Sequence, residues 1–113
     1  ALDISELMLN ELTKRSMDIN NIETIKTDFY DFKLRSNIVD KALLSMVLHE
    51  VEDKKRFIAE CSRILKNNGE LFVIEWDKVD ENYGAPFDHR MNYEELQRSV
   101  ERHFKIDEKR IIL

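Results

Sequence analysis

Two carboxylates stand where apolar, β-branched stretches of the chain run out: Asp3 after Ala1 and Leu2, and Asp28 after the run "IETIKT". Open α/β sheets bind their ligands beyond the carboxyl ends of their strands. A carboxylate there can accept both hydroxyl hydrogens of a ribose, a role that suits Asp3. Asp28 can accept from an exocyclic amine while the adjoining Phe29 covers the face of a base. The bare pattern leaves a second reading open, in which Asp3 and Asp28 are ordinary loop acids.

Histidines supply the other candidate chemistry. The string "HEVED" sets His49 and Asp53 four apart, the spacing of the zinc-binding H-E-x-x-H helix. The second histidine is absent, His49 follows directly on an apolar strand, and Asp53 is better explained as a helix N-cap, so no metal site is expected. At a strand's carboxyl end, His49 either orients a substrate or takes a proton from it, or else it is a structural histidine. In "PFDHRMNYEEL", His89 and Arg90 sit in a loop just ahead of a helix. There they either cover a small substrate and bind its anionic group or merely solvate the loop. Trp76, at the end of its strand, is packing or pocket wall.

The elements that must position these residues alternate along the chain. Ser5 as N-cap, Glu6 in the first turn, Met8 and Leu12 on one face and Lys14 and Arg15 near the end predict a helix over residues 5–16. A short strand is expected over residues 22–27, rich in β-branched side chains. Residues 42–48 are nearly continuously apolar, which suits a strand covered on both faces in a parallel sheet. Asp53 then caps a helix with Phe57, Ile58, Cys61, Ile64 and Leu65 on one stripe. Cys61 is thereby a core side chain, which leaves no thiol for Cys-His nucleophilic catalysis.

Asn68 and Gly69 are expected to end that helix, with Gly69 in the left-handed conformation common at helix ends. The stretch "ELFVIEW" returns as a strand and completes a βαβ unit. Residues 77–90 form a loop containing Gly84 and Pro86. Asn92 with Glu95 resembles a capping box for a helix that carries Leu96, Val100 and Phe104 inward, and "FKIDEKRIIL" reads as a last strand. There is no internal repeat, and the alternation argues for a doubly wound α/β sheet.

Composition narrows the partners. At 113 residues the length favours one domain, and with two Gly and one Pro no linker interrupts it. The net charge of −5, with Lys and Arg dispersed, is no footprint for nucleic acid or an anionic membrane. Apolar runs such as "ALLSMVL" are far shorter than a membrane span requires. The lone Cys61 cannot form an intrachain disulfide, which fits a reducing, cytoplasmic setting.

The string "NIVDKALLSMVLHEVEDKKRFIAECSRILKNNGELFVIEW" resembles the post-nucleotide half of class I S-adenosylmethionine-dependent methyltransferases. The likeness is greatest to the small-molecule group that includes the ubiquinone and menaquinone biosynthesis type. In that family a stretch like "VD" leads the fourth strand, and the following helix ends in R-hydrophobic-L-K-P-G-G. Here the string is "RILKNNGELFVIEW", with Asn67 and Asn68 where Pro-Gly is usual and Gly69 retained. The resemblance implies a Rossmann-like, doubly wound, mostly parallel sheet, S-adenosyl-L-methionine as cofactor and a small-molecule methyl acceptor. It makes Asp3 the ribose-binding acid at the end of the second strand, and Asp28 and Phe29 the adenine-contacting pair after the third. Residues 45–49, with Ser45 at one end and His49 at the other, become the wall beside the methionine portion and the transferable methyl. His89 and Arg90 resemble a substrate-side loop more loosely.

By the same resemblance, residues 1–113 are a single partial methyltransferase domain. In the family a first strand and a glycine-rich loop precede the acid corresponding to Asp3, and Gly69 and Gly84 cannot assemble a G-x-G pattern. A final antiparallel strand is expected after Leu113. Loss of a central strand leaves apolar edges, so the chain is expected to self-associate. It is also expected to bind the cofactor weakly or not at all and to be inactive, activity belonging to the parent enzyme. Two other readings remain: a fragment of a nicotinamide-dependent oxidoreductase, which shares the sheet and the ribose acid, and a non-catalytic binding or dimerisation module derived from the fold.

Overall fold

A computed structural model describes residues 1–80 and 82–110, and the chain divides into two compact units, Ala1–Leu34 and Arg35–Leu113. The first unit contains β1 (Leu2–Asp3), α1 (Glu6–Arg15) and β2 (Ile25–Lys26). The strands are parallel, with Leu2 opposite Ile25 and Asp3 opposite Lys26. Flanking bonds extend the ladder, from the Ile25 N–H to the Ala1 carbonyl at 2.9 Å and from the Thr27 N–H to the Asp3 carbonyl at 3.0 Å. The helix forms where its end signals lie: the Ser5 hydroxyl oxygen accepts the Met8 N–H at 3.3 Å, and the Ser16 N–H donates to the Leu12 carbonyl at 3.0 Å. β2 is shorter than the strand expected over residues 22–27. Its partner β1 offers only two residues, and a β ladder extends no further than its shorter member.

The second unit is built from β3 (Val39–Ser45), α2 (Lys54–Ile64), β4 (Leu65–Ile74) and α3 (Tyr93–Val100), with 3-10 turns at Leu48–Glu50 and Phe87–His89. β3 and β4 run parallel from the Lys41 and Glu70 pair to the Ser45 and Ile74 pair. Both helices start where their side chains cap them. Asp53 Oδ1 accepts the Arg56 N–H at 3.1 Å, and Asn92 and Glu95 form the reciprocal capping box at 2.9 and 3.2 Å. Phe57, Ile58, Cys61 and Ile64 are buried along the expected stripe of α2, and Val100 anchors α3.

Three expectations need correction. α2 stops at Ile64 and the chain is already extended at Leu65. Val39 faces Leu65 while Lys41 faces Glu70, so Lys66, Asn67, Asn68 and Gly69 bulge outward opposite Asp40. Lys66 Nζ donates to Asp40 Oδ1 across that bulge at 2.9 Å. Gly69 is not in the left-handed region; Gly84 is the glycine that is, at φ 79°. Close approach explains Gly69 instead, because a Cβ there would lie 2.9 Å from Leu65 Cδ2, 3.0 Å from the Lys66 carbonyl oxygen and 3.2 Å from that of Asp40.

Second, the apolar strand begins at Val39 and ends at Ser45, and it is covered on one face only. Leu44 is 8% exposed whereas Leu43 is 62% exposed, and its neighbour Phe72 is 46% exposed. This alternation marks a sheet with one open face. Third, the last strand expected over residues 104–113 is absent from residues 104–110, and residues 111–113 lie outside the described residues.

Candidate functional site

In the first unit the parallel pairing sets Asp3 and Asp28 at the carboxyl ends of neighbouring strands. Asp3 Oδ1 accepts the Ser5 N–H at 2.8 Å, which orients the carboxylate at the start of α1. A carboxylate offers about four acceptor positions, so this one bond leaves capacity for a diol. Asp28 is exposed, and its Oδ1 receives two backbone N–H groups, from Tyr30 and Asp31, both at 2.7 Å. It thereby shapes the turn that carries Phe29, whose half-buried ring meets Tyr30 edge-on at 6.4 Å.

In the second unit the end of β3 is reversed by Met46, whose φ of 56° is left-handed for a residue with a side chain. Such a conformation costs about 1 kcal/mol or more. Its N–H is held by the Ile74 carbonyl at 2.8 Å. Ser45 is exposed just before this reversal, and His49 follows in the 3-10 turn. His49 Nδ1 lies 2.7 Å from Glu75 Oε1 and 3.1 Å from Oε2. The same carboxylate accepts the His49 N–H at 2.8 Å and the Trp76 N–H at 3.3 Å. Both side chains are enclosed, at 8% exposure for His49 and 5% for Glu75.

Glu75 was missed in the sequence. The signal was available, since it is an acid at the carboxyl end of a strand, as Asp3 and Asp28 are.

The loop over residues 77–90 is organised from within by Arg90, which is 3% exposed. Its guanidinium donates to the carbonyls of Ala85 at 2.8 Å, Val79 at 3.0 Å, Tyr83 at 2.6 Å and Asp77 at 3.3 Å. It also stacks 5.1 Å from the Trp76 ring. Burial removes the alternative in which Arg90 merely solvates the loop; the side chain holds the loop's shape. Trp76 further requires Gly84, where a Cβ would come within 2.7 Å of the indole. His89 is exposed on the turn next to Arg90. His49, His89 and Arg90 come together around one cavity of about 700 Å³, with Glu50, Lys78 and Glu95 also on its wall. That size suits a small organic molecule.

His49 and Asp53 do not share a helix, since His49 precedes α2 and Asp53 caps it. Among the described residues no cluster of three His, Cys, Asp or Glu side chains is arranged to hold a metal, and no helix is long and apolar enough to cross a membrane. Cys61 is buried, and burial with the nearby Glu60 charge pushes its thiol up to about 12, which keeps it protonated and inert.

Parallel α/β units with acids just beyond the carboxyl ends of adjacent strands have the layout in which open α/β sheets bind their ligands. Residues 1–73 match the family described as "Methyltransferase domain", and the chain belongs to that family. It is 32% identical over 82 residues to the ubiquinone/menaquinone biosynthesis C-methyltransferase UbiE of Rickettsia prowazekii (strain Madrid E), covering 70% of this chain and 33% of that protein. The UbiE protein of Acidiphilium cryptum (strain JF-5) is 29% identical over 94 residues, covering 80% of this chain and 38% of its own length. Among solved structures, a SAM dependent methyltransferase from Aquifex aeolicus superposes with a TM-score of 0.83 at 25% identity, over 91% of this chain and 56% of that one. The fold is therefore that of Rossmann-like methyltransferases, and the chain spans about a third of the length of these curated relatives.

Proposed function

We propose that this chain forms the nucleoside side of the cofactor site and one wall of the acceptor pocket in an S-adenosylmethionine-dependent methyltransferase acting on a small molecule. The observation that carries this reading is the coincidence of the family match over residues 1–73 with Asp3 at the carboxyl end of β1, beside parallel β2. An S-adenosyl cofactor supplies an electrophilic methyl group, so protein groups mainly hold the partners within near-attack distance. Asp3 accepts the ribose hydroxyls, while Asp28 and Phe29 border the adenine. Ser45 stands beside the methionine portion. His49 orients the acceptor or takes its proton, and His89, on the loop held by Arg90, borders the acceptor.

The matches reported above are to methyltransferases, and the nicotinamide-dependent reading has no support among them. Gly69 and Gly84 are the chain's two glycines, and neither links a strand to a helix N-terminus in the manner that cradles a cofactor's charged groups. By itself the chain is therefore a weak cofactor binder. Among the described residues each sheet has two strands, and the edges left unpaired there favour self-association, which sedimentation velocity would register as a mass above that of the monomer. The dispersed charge speaks against nucleic acid as a partner, and the single buried thiol suits a cytoplasmic setting.

Calorimetric titration of S-adenosylhomocysteine into this chain and into the chain extended upstream to its native start codon tests the reading. Binding by the extended chain is the expected result, and absence of binding in both would reduce the proposal to a shared fold. In the extended protein, Asp3→Ala is expected to weaken binding by about 1.5 to 3 kcal/mol through lost charge-assisted hydrogen bonds. Unchanged affinity removes Asp3 from the site.

A further inference from the structure

We infer that Glu75 is a positioning residue for His49: its carboxylate holds the imidazole as the Nδ1–H tautomer and presents Nε2 as the basic nitrogen. The geometry gives the carboxylate three donors, the backbone N–H groups of His49 and Trp76 and the ring nitrogen at 2.7 Å. An ionised carboxylate has no proton to offer, so the proton in the ring contact belongs to Nδ1. With both side chains nearly closed to solvent, water does not compete for this bond. Among the described residues Nε2 has no hydrogen-bond partner: Glu50 Oε1 is 3.8 Å away on a side chain that is 65% exposed, beyond hydrogen-bond distance.

The arrangement has the parts of a base and its orienter. Glu75 is anchored by backbone N–H groups on either side of the contact, one from the turn after β3 and one from the residue after Glu75 itself. The ring therefore cannot rotate without breaking a buried bond. A proton taken at Nε2 would leave an imidazolium facing Glu75 directly, with Glu50 nearby, so the charge that forms is met by charge already in place.

This orientation deepens the functional reading above and rests on it, because it defines the class of acceptor. A neutral imidazole with a free Nε2 lone pair serves an acceptor that has a proton to lose, a hydroxyl or an activated C–H, and does nothing for a tertiary amine or a thioether. In the balanced step the acceptor atom bonds to the transferred methyl carbon. The electron pair of the broken C–S bond stays on sulfur, and the acceptor's proton passes to His49 Nε2 and afterwards to water.

The tautomer can be read without any cofactor. Long-range proton–nitrogen NMR of this chain, with His49 assigned by the signal lost in His49→Gln, is expected to show a protonated Nδ1 and an unprotonated Nε2. An Nε2–H tautomer, or an equal mixture of the two, overturns the assignment. Glu75→Leu is expected to move His49 to the Nε2–H form and leave the signals of His89 and His103 in place. Should that variant fail to fold, Glu75→Gln keeps the shape and is expected to lose the single-tautomer signature; an unchanged signature overturns the lock. In the extended enzyme, Glu75→Gln should lower kcat roughly tenfold or more with the cofactor KM unchanged. An unchanged kcat overturns the positioning role. Failure of the extended chain to bind S-adenosylhomocysteine, with the Nδ1–H tautomer intact, would instead count against the functional reading and leave the Glu75 lock standing.

Discussion

The two units differ in what holds them together. In Ala1–Leu34 the buried apolar side chains are Leu9 and Phe32, while Leu7, Met8 and Met17 are 81%, 60% and 81% exposed. In Arg35–Leu113 a continuous set from Leu44 through Leu48, Val51, Phe57, Ile58, Cys61, Ile64 and Leu65 to Met91 and Val100 is buried. Burial of apolar area is the main favourable term in folding, so the second unit carries most of the stability. The proposed nucleoside acids lie on the weaker unit, and the His49 and Glu75 pair is built into the stronger one. The proposed base needs a rigid frame, whereas the proposed ribose acid needs only a short strand end and one hydrogen bond.

The largest effect expected from this contrast lies in the cores. Ile58→Ala, at a fully buried position of α2, should destabilise the chain by about 3 to 4 kcal/mol through lost transfer energy and a cavity. Leu7→Ala on α1 should stay within about 0.5 kcal/mol. Urea unfolding followed by fluorescence would measure both, and comparable losses at the two sites would break the comparison.

Alkaline pH should act on the second unit through Cys61. The Cys61 thiol titrates at about 12 in the folded chain against an ordinary 9.0, so the unfolded state releases this proton first. The contribution is fully present below the unfolded value and is lost as pH rises from there toward the folded value. Stability should therefore fall by up to about 1.4 kcal/mol per pH unit above about pH 9. Cys61→Ala should remove that slope, and a denaturation midpoint that still falls equally steeply in the variant would show that another group is responsible.

The smallest effects are at the helix starts. Asp53→Ala and Asn92→Ala remove caps at 3.1 and 2.9 Å and should each cost about 1 kcal/mol. Ser5→Ala removes a longer bond of 3.3 Å on an exposed helix and should cost about 0.5 kcal/mol. Thermal melts of the three variants would rank them, and Ser5→Ala as the most damaging would reverse the order of the two units.

Much of this was legible in the residues. Caps are local, so Ser5, Asp53 and the Asn92 and Glu95 box marked their helices correctly. The α2 stripe is periodic, and Cys61 fell on its buried side. Long-range contacts were not legible. Gly69 looked like a helix stop because Asn-Gly usually is one, but its reason is close approach, to Leu65 and the Lys66 carbonyl across its own bulge and to the Asp40 carbonyl on the neighbouring strand. Arg90 looked like a loop cation, yet its partners are carbonyls spread over residues 77–85, a folding-back that no spacing rule encodes. Glu75 carried a strand-end signal, but its partner is 26 positions away.

The sequence by itself determined the alternation of elements, the helix starts, the inert thiol and the family, because each depends on neighbours within a few positions or on a contiguous string. Only the tertiary structure decided which face of β3 is open, why Gly69 has no side chain, and that His49 and Glu75 form one buried pair. Those features depend on strand register and on the return of a distant loop, and contacts of that kind exist only once the chain has folded.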